Sequence, residues 1–127
     1  FIQRFPRLRI VVDHGAKPAI RDGAAGWQPW ADGIERLARF PQVHCKLSGL
    51  ATEAAPGWNE ATLRPYVDHL LARFGPSRLM WGSDWPVLNL NGDYATWHAV
   101  ANALLASLSQ TQCDAVFGGN AAAFYRL

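Results

Sequence analysis

Three short apolar runs, each stopped by glycine or proline and each about 35 residues from the next, constrain this chain more than any other feature. The first, Leu8-Arg9-Ile10-Val11-Val12-Asp13-His14, is rich in β-branched residues and stops at Gly15. The second, Val43-His44-Cys45-Lys46-Leu47-Ser48, stops at Gly49. The third, Arg78-Leu79-Met80-Trp81-Gly82-Ser83-Asp84, ends near Pro86. Runs this short, bounded in this way, predict strands covered on both faces. Helical stripes lie between them. Trp30, Ile34, Leu37 and Ala38 share a helical face that Pro41 ends, and a longer stripe runs from Leu63 through Tyr66, Val67, Leu70 and Leu71 to Phe74. Gly75-Pro76 closes the longer stripe, since glycine accepts a left-handed cap and proline cannot continue the ladder. Trp97, Ala101, Leu104, Leu105 and Leu108 form a third stripe; Asp114 to Phe117 predicts one further helical turn, and Asn120 is placed as N-cap of the last helix. Strands alternating with helices imply parallel βαβ units, and the spacing is that of one unit of a (β/α) barrel. The fold class expected is therefore α/β: part of a TIM (β/α)8 barrel, about three parallel strands with their helices, filling residues 1–127 as one domain.

Composition supports a packed core and excludes several partners. Half of the 127 residues are hydrophobic, with six Trp and six Phe, so disorder is excluded. Twelve basic residues stand against ten acidic ones and are scattered, which gives no footprint for nucleic acid. No apolar run approaches membrane-span length, and neither a membrane span nor a signal peptide is expected. Cys45 and Cys113 make no CxxC or Cys/His pattern, so they are expected as two reduced, buried thiols of a cytoplasmic protein. The chain opens on Phe1-Ile2-Gln3 without a Met and closes on a helix-like Asn120–Leu127, so a longer protein lacking its N-terminal part here is the expectation.

The loops Gly15–Pro29 and Ala51–Asn59 both follow strands, and in parallel α/β folds that side holds the active site. The polar residues there are Asp13-His14, Ser48 and Ser83-Asp84. Alternation along a strand puts Ile10 and Val12 on the face of His14 and turns Asp13 away. It puts Met80 and Gly82 on the face of Asp84, with Trp81 outward on the helices and room at Gly82 for a ligand or metal. A His and an Asp from different strand ends would thus converge. Plainer roles compete: Asp13 bracing its loop, His14 as a hydrogen-bonded structural residue, Asp84 capping the turn before Trp85-Pro86. His44, His69 and His98 lack a carboxylate at ligand spacing and are read as structural or surface residues. Lys46 either pairs with a carboxylate, points at the site or snorkels. Ser83 is not a nucleophile elbow, because G-x-S-x-G is absent.

Four ordered blocks resemble one family. Val12-Asp13-His14-Gly15-Ala16-Lys17-Pro18, Val43–Leu50, Phe74–Val87 with its Gly82-Ser83-Asp84-Trp85-Pro86 core, and Gly119–Tyr125 are similar to the amidohydrolase-related family of sugar lactonases and pyrone-dicarboxylate lactonase, and the span from the first block to the last takes in almost the whole chain. The resemblance implies that the last three strands of a TIM-like barrel are present. It implies that Asp84 is the general base that activates water and also a ligand for a divalent metal. It implies that His14 binds the metal or polarises the substrate carbonyl. Zn or Mn is the implied cofactor of the full-length protein, although the family's first-strand His-x-His pair is not in this sequence.

The function expected on that basis is opening of a sugar-derived or aromatic-degradation lactone by water, with a small-molecule lactone as partner. Trp85 and Arg21 are the expected pocket-lining residues. Two alternatives stand beside it: a metal-dependent decarboxylase of the same superfamily, and an inactive partial-barrel module or one that pairs with another chain to complete a site. The absent His-x-His pair favours the module.

Overall fold

A computed structural model describes residues 1–127. Its centre is a three-stranded parallel sheet of β1 (Ile10–Val12), β2 (Val43–Leu47) and β3 (Leu79–Trp81) in the order β1-β2-β3. The register pairs Ile10 with Val43, Val12 with Cys45, Cys45 with Leu79 and Leu47 with Trp81. The strands are thus parallel and in the expected order, the geometry of a partial barrel. Each is shorter than its apolar run, because the chain leaves the sheet before the polar residues at the strand ends.

The two faces of the sheet differ. Along β2, Val43, Cys45 and Leu47 are fully buried while His44 and Lys46 are half-buried. The pairing puts Ile10, Val12, Leu79 and Trp81 on the face of Cys45 and Leu47. Helices α1 (Ala24–Ala38) and α3 (Glu60–Phe74) pack on that face and on each other. Ile34, Leu63, Val67 and Leu70 contribute the core there, all fully buried. Burial of such a side chain stabilises by roughly 1.5–3 kcal/mol before conformational entropy is counted.

Helix α3 ends where its sequence predicts, and it begins on a capping box that was not among the expectations. Asn59 Oδ1 accepts from the Thr62 N–H, Thr62 Oγ1 accepts from the Asn59 N–H, and Gly75 at φ 73° closes the helix. Helix α1 corrects an expectation. It starts at Ala24, so the loop expected to run to Pro29 ends earlier, and Pro29 lies inside the helix. Proline there leaves one backbone carbonyl without its helical donor. The aromatic packing offsets this: Trp27 and Trp30, one turn apart, both pack on Tyr66 and His69 of α3. The second expected loop also begins as a short helix, α2 (Leu50–Glu53).

Beyond β3 come α4 (Tyr94–Leu104), α5 (Gln110–Asp114), a π-helical turn (Ala115–Gly119) and α6 (Asn120–Tyr125). Asn120 is not the N-cap expected of it. It is already helical, and its side-chain amide donates to Pro76 O at 2.7 Å and Leu79 O at 2.8 Å, tying α6 to the start of β3. Phe124 then packs on His44 at 4.9 Å between ring centroids, so α6 lies over the face opposite α1 and α3. The three histidines read as structural all meet aromatic rings: His44 on Phe124, His69 on Trp27 and Trp30, His98 on Trp81 and Tyr94. Both cysteines are free, but only Cys45 is fully buried; Cys113, at the end of short α5, stays partly exposed. No helix is long and apolar enough to cross a membrane.

Candidate active site

Parallel strands deliver Asp13-His14, Ser48 and Ser83-Asp84 to one end of the sheet. The chain does not continue straight beyond β1. His14, Gly15, Ala16 and Lys17 have φ of 49°, 56°, 60° and 50°, a run in the left-handed region that L-residues disfavour. Two hydrogen bonds hold it: Trp30 Nε1 donates to Gly15 O at 2.7 Å, and Lys17 N donates to His14 O at 2.8 Å.

This turn overrides the alternation expected there. Ile10 and Val12 lie on the helix-packed face and do not share a face with His14. Asp13 is not turned away, because it extends the register beside Lys46: Lys46 Nζ stands 3.1 Å from Asp13 Oδ1. His14 swings over the end of β2. Its Nε2 lies 3.5 Å from Asp84 Oδ1 and 3.5 Å from Asp13 Oδ2, and its Nδ1 lies 2.8 Å from Ser48 Oγ. The ring sits so close to Gly49 that a Cβ there would lie 2.7 Å from His14 Cγ, and Gly49 itself has φ 67°.

Asp84 also has a left-handed backbone, at φ 60°, and its side chain is only 12 % exposed. Three bonds fix its surroundings. Asp84 O accepts from Leu88 N at 2.9 Å, Ser83 Oγ accepts from Trp85 N at 3.2 Å, and Trp97 Nε1 donates to Gly82 O at 2.9 Å. Ser83 therefore shapes the turn. Gly82 does line the cleft, but the space it frees on its Cβ side belongs to Ser48, whose Cβ would be 3.3 Å away.

These groups line a cleft of about 420 Å³ whose walls include His14, Lys46, Ser48, Met80, Asp84 and Tyr125. A hollow of about 460 Å³ beside α1 has Lys17 as its one charged residue, so no acid–base pair faces it. Within the cleft, burial alone would raise the Asp13 carboxyl. The hydrogen bond from Lys46 and the charges of His14, Lys46 and Lys17 outweigh that and hold it below its ordinary value. The same bond to Asp13 lifts the Lys46 ammonium above the usual lysine value, so Lys46 is a fixed cation. Of the alternatives open for Lys46, pairing with a carboxylate and facing the cleft both hold.

The other two residues expected at the site are elsewhere. Arg21 donates to Thr52 O at 3.0 Å and Glu53 O at 3.5 Å, joining two loops outside the cleft. Trp85 follows Asp84 but is 66 % exposed and lines no wall of the cleft. Ala121 and Tyr125, absent from the expected set, close one side from α6. Their i, i+4 spacing was visible in the sequence, but nothing there placed that helix over the cleft. Histidine and aspartate suit a divalent cation, and here they face one point from separate strand ends. No group of three or more His, Cys, Asp or Glu side chains is placed to hold one. His14 and Asp84 thus fit as two ligands, short of the three protein ligands usual at a catalytic zinc site.

Comparison with known proteins agrees with this architecture. The chain is 47% identical over 131 residues to an L-fucono-1,5-lactonase of Burkholderia ambifaria, covering 100% of this chain and 44% of that protein. It is 41% identical over 137 residues to an L-fucono-1,5-lactonase of Burkholderia multivorans, again covering 100% of this chain and 46% of the relative. The chain therefore spans less than half the length of the curated relatives it matches. A crystal structure of an amidohydrolase from Burkholderia multivorans with bound zinc superposes with a TM-score of 0.90 at 34% identity, over 99% of this chain and 48% of that one. The amidohydrolase family model matches residues 1–127, from one end of the chain to the other, and the chain belongs to that family.

Proposed function

We propose that this chain carries the acid–base part of a lactone-opening site, and that its residues 1–127 are one partial-barrel domain of a longer hydrolase. The observation that carries the reading is the approach of His14 Nε2 to Asp84 Oδ1, 3.5 Å apart at the ends of β1 and β3 in one cleft. The lactonase names of the relatives support it.

Water attacks the lactone carbonyl only if something removes its proton and something polarises the carbonyl. Asp84, acceptor-only when ionised, takes the proton as the water oxygen bonds to the carbonyl carbon, and returns it to the ring oxygen as the acyl–oxygen bond breaks and the ring opens. His14 presents Nε2 to the carbonyl oxygen. A divalent cation, when bound, would add Lewis-acid polarisation, and His14 and Asp84 are the residues of this chain that would hold it. Lys46 keeps Asp13 ionised beside His14, so the ring has carboxylates before it and Ser48 behind it. The substrate class is a sugar-derived lactone, by analogy with the named relatives. Trp85 stands exposed beside Asp84, able to meet a substrate from outside the cleft, while the Arg21 guanidinium bonds the carbonyls of Thr52 and Glu53.

The test is acid release from L-fucono-1,5-lactone by the full-length protein, followed at constant pH. Release well above the uncatalysed rate, abolished by Asp84→Asn, is the expected result. Release that survives Asp84→Asn, or none from any sugar lactone, overturns the reading.

A further inference from the structure

Ser48 has no part in the reaction as written, yet it is the single polar residue among the buried ones, 2 % exposed. It follows β2 directly, and its Oγ meets His14 Nδ1 at 2.8 Å, the one side-chain hydrogen bond it makes. Its neighbours make that meeting possible. Gly82 has no Cβ to crowd Ser48, and Gly49 has none to displace the imidazole. Buried polar atoms need partners, and a hydroxyl can serve a ring nitrogen either as donor or as acceptor.

We infer that Ser48 is a positioning residue, whose hydroxyl fixes the ring orientation and tautomer of His14 so that Nε2 faces Asp84. The inference rests on the proposal that His14 works through Nε2. The two carboxylates stand 3.5 Å from Nε2, too far for a full hydrogen bond, and favour the ring proton there only weakly; the Ser48 hydroxyl, 2.8 Å from Nδ1, fixes it on Nε2 by donating to Nδ1. If Nε2 turns its lone pair to a cation, the proton moves to Nδ1 and the same hydroxyl rotates to accept it. Serine serves both states and alanine serves neither. Such outer partners of a functional histidine set its tautomer and orientation.

The experiment needs no substrate. The full-length protein, stripped of cations by a chelator, is prepared with nitrogen-15 histidine and its ring nitrogens are read by NMR, at a pH where imidazoles are neutral. His14→Gln identifies the His14 signals. In the unmodified chain His14 should show one tautomer, with the proton on Nε2. In Ser48→Ala the two tautomers should mix, while His44, His69 and His98 keep their signals and so report an intact fold. An even mixture in the unmodified chain overturns the inference without any variant. So does a Ser48→Ala ring that stays in one tautomer, or a change that spreads to all the other histidines, which would make Ser48 a packing residue only. In the full-length enzyme, Ser48→Ala should lower kcat by about 10–100-fold and move KM less. The NMR result stands or falls whether or not a lactone is the substrate, so failure here and failure of the lactonase reading are separable.

Discussion

The two faces of the sheet share the same three strands and do opposite work. The face toward α1 and α3 is built of Val43, Cys45, Leu47 and Leu79, all fully buried. The face toward α6 carries His44 and Lys46, half-buried, and beyond the strand ends it opens into the cleft of His14 and Asp84. Strand alternation alone separates the fold's main apolar support from its chemistry. Substitutions on one face should therefore move stability, and those on the other should move turnover.

The largest effect expected is Asp84→Asn in the full-length enzyme. Asparagine keeps the shape of the side chain but cannot take a proton from water, and loss of a general base costs about 10²–10⁴-fold in turnover. The melting temperature should barely change, since no side-chain hydrogen bond holds the Asp84 carboxylate; the turn is held through its backbone oxygen. Turnover and melting curves from one preparation decide. Near-normal turnover with a lowered melting temperature would make Asp84 a turn residue and erase the contrast between the faces.

Leu47→Ala probes the other face of the same strand. A fully buried leucine with little room to collapse should cost about 2–5 kcal/mol, with turnover per folded molecule unchanged. The two thiols, Cys45 on the same strand and Cys113 on α5, give a readout. Burial pushes the Cys45 thiol up to about 12, against a smaller opposing effect of a backbone hydrogen bond at Gly15, while Cys113 is partly exposed. A thiol reagent at mildly alkaline pH should modify Cys113 first and Cys45 only through opening of the fold. Leu47→Ala should speed the Cys45 reaction and leave that of Cys113 nearly alone. Equal rates for both thiols in the unmodified chain would contradict the packing described.

How much of this the sequence foretold differs between the faces in the same way. The helix-packed face was legible because burial imposes periodicity: the β2 run, the Leu63–Phe74 stripe and the Gly75 stop all lie where periodicity puts them. The convergence of His14 and Asp84 was legible from strand order and from the family resemblance. The detail was not, because His14 and Asp84 both sit at positive φ, where alternation no longer says which way a side chain points. For the same reason Asp13 was expected on the wrong face. Asn120 was misplaced because an asparagine before a short helix reads as a cap, whereas here its amide serves two carbonyls from another part of the chain. Arg21 was expected in the pocket, yet its guanidinium is taken by the carbonyls of Thr52 and Glu53, contacts about 30 residues away that no local pattern encodes.

Asn120→Ala tests whether α6 belongs to the fold or to the cleft. Removing the amide leaves Pro76 O and Leu79 O without that donor, which should cost about 1–3 kcal/mol. Because Ala121 and Tyr125 ride on the same helix, loosening it should also raise KM for substrate. A loss of stability with KM unchanged would assign α6 to the fold alone.

The smallest effect belongs to the Asp13–Lys46 pair, though it is the shortest charge contact in the cleft. Asp13 is 59 % and Lys46 35 % exposed, so water screens the attraction, and pairs of this kind contribute about 0–1 kcal/mol. A double-mutant cycle with Asp13→Asn and Lys46→Met should give a coupling in that range, smaller still at high salt. Its pH dependence follows from the shifts. The Asp13 carboxyl is held below its ordinary value of 3.8, so its contribution is complete above that value and is lost as pH falls through the lower folded one. The Lys46 ammonium is held above its ordinary 10.5, so its contribution is complete below that value and is lost as pH rises through the higher folded one. Between those limits the coupling should be flat. Turnover should respond differently, because Asp13 Oδ2 also stands before His14 Nε2. Asp13→Asn should therefore lower kcat by more than its small effect on stability accounts for. A coupling well above 1 kcal/mol, or a kcat that merely tracks the folded fraction, would show that this pair holds the fold rather than the chemistry.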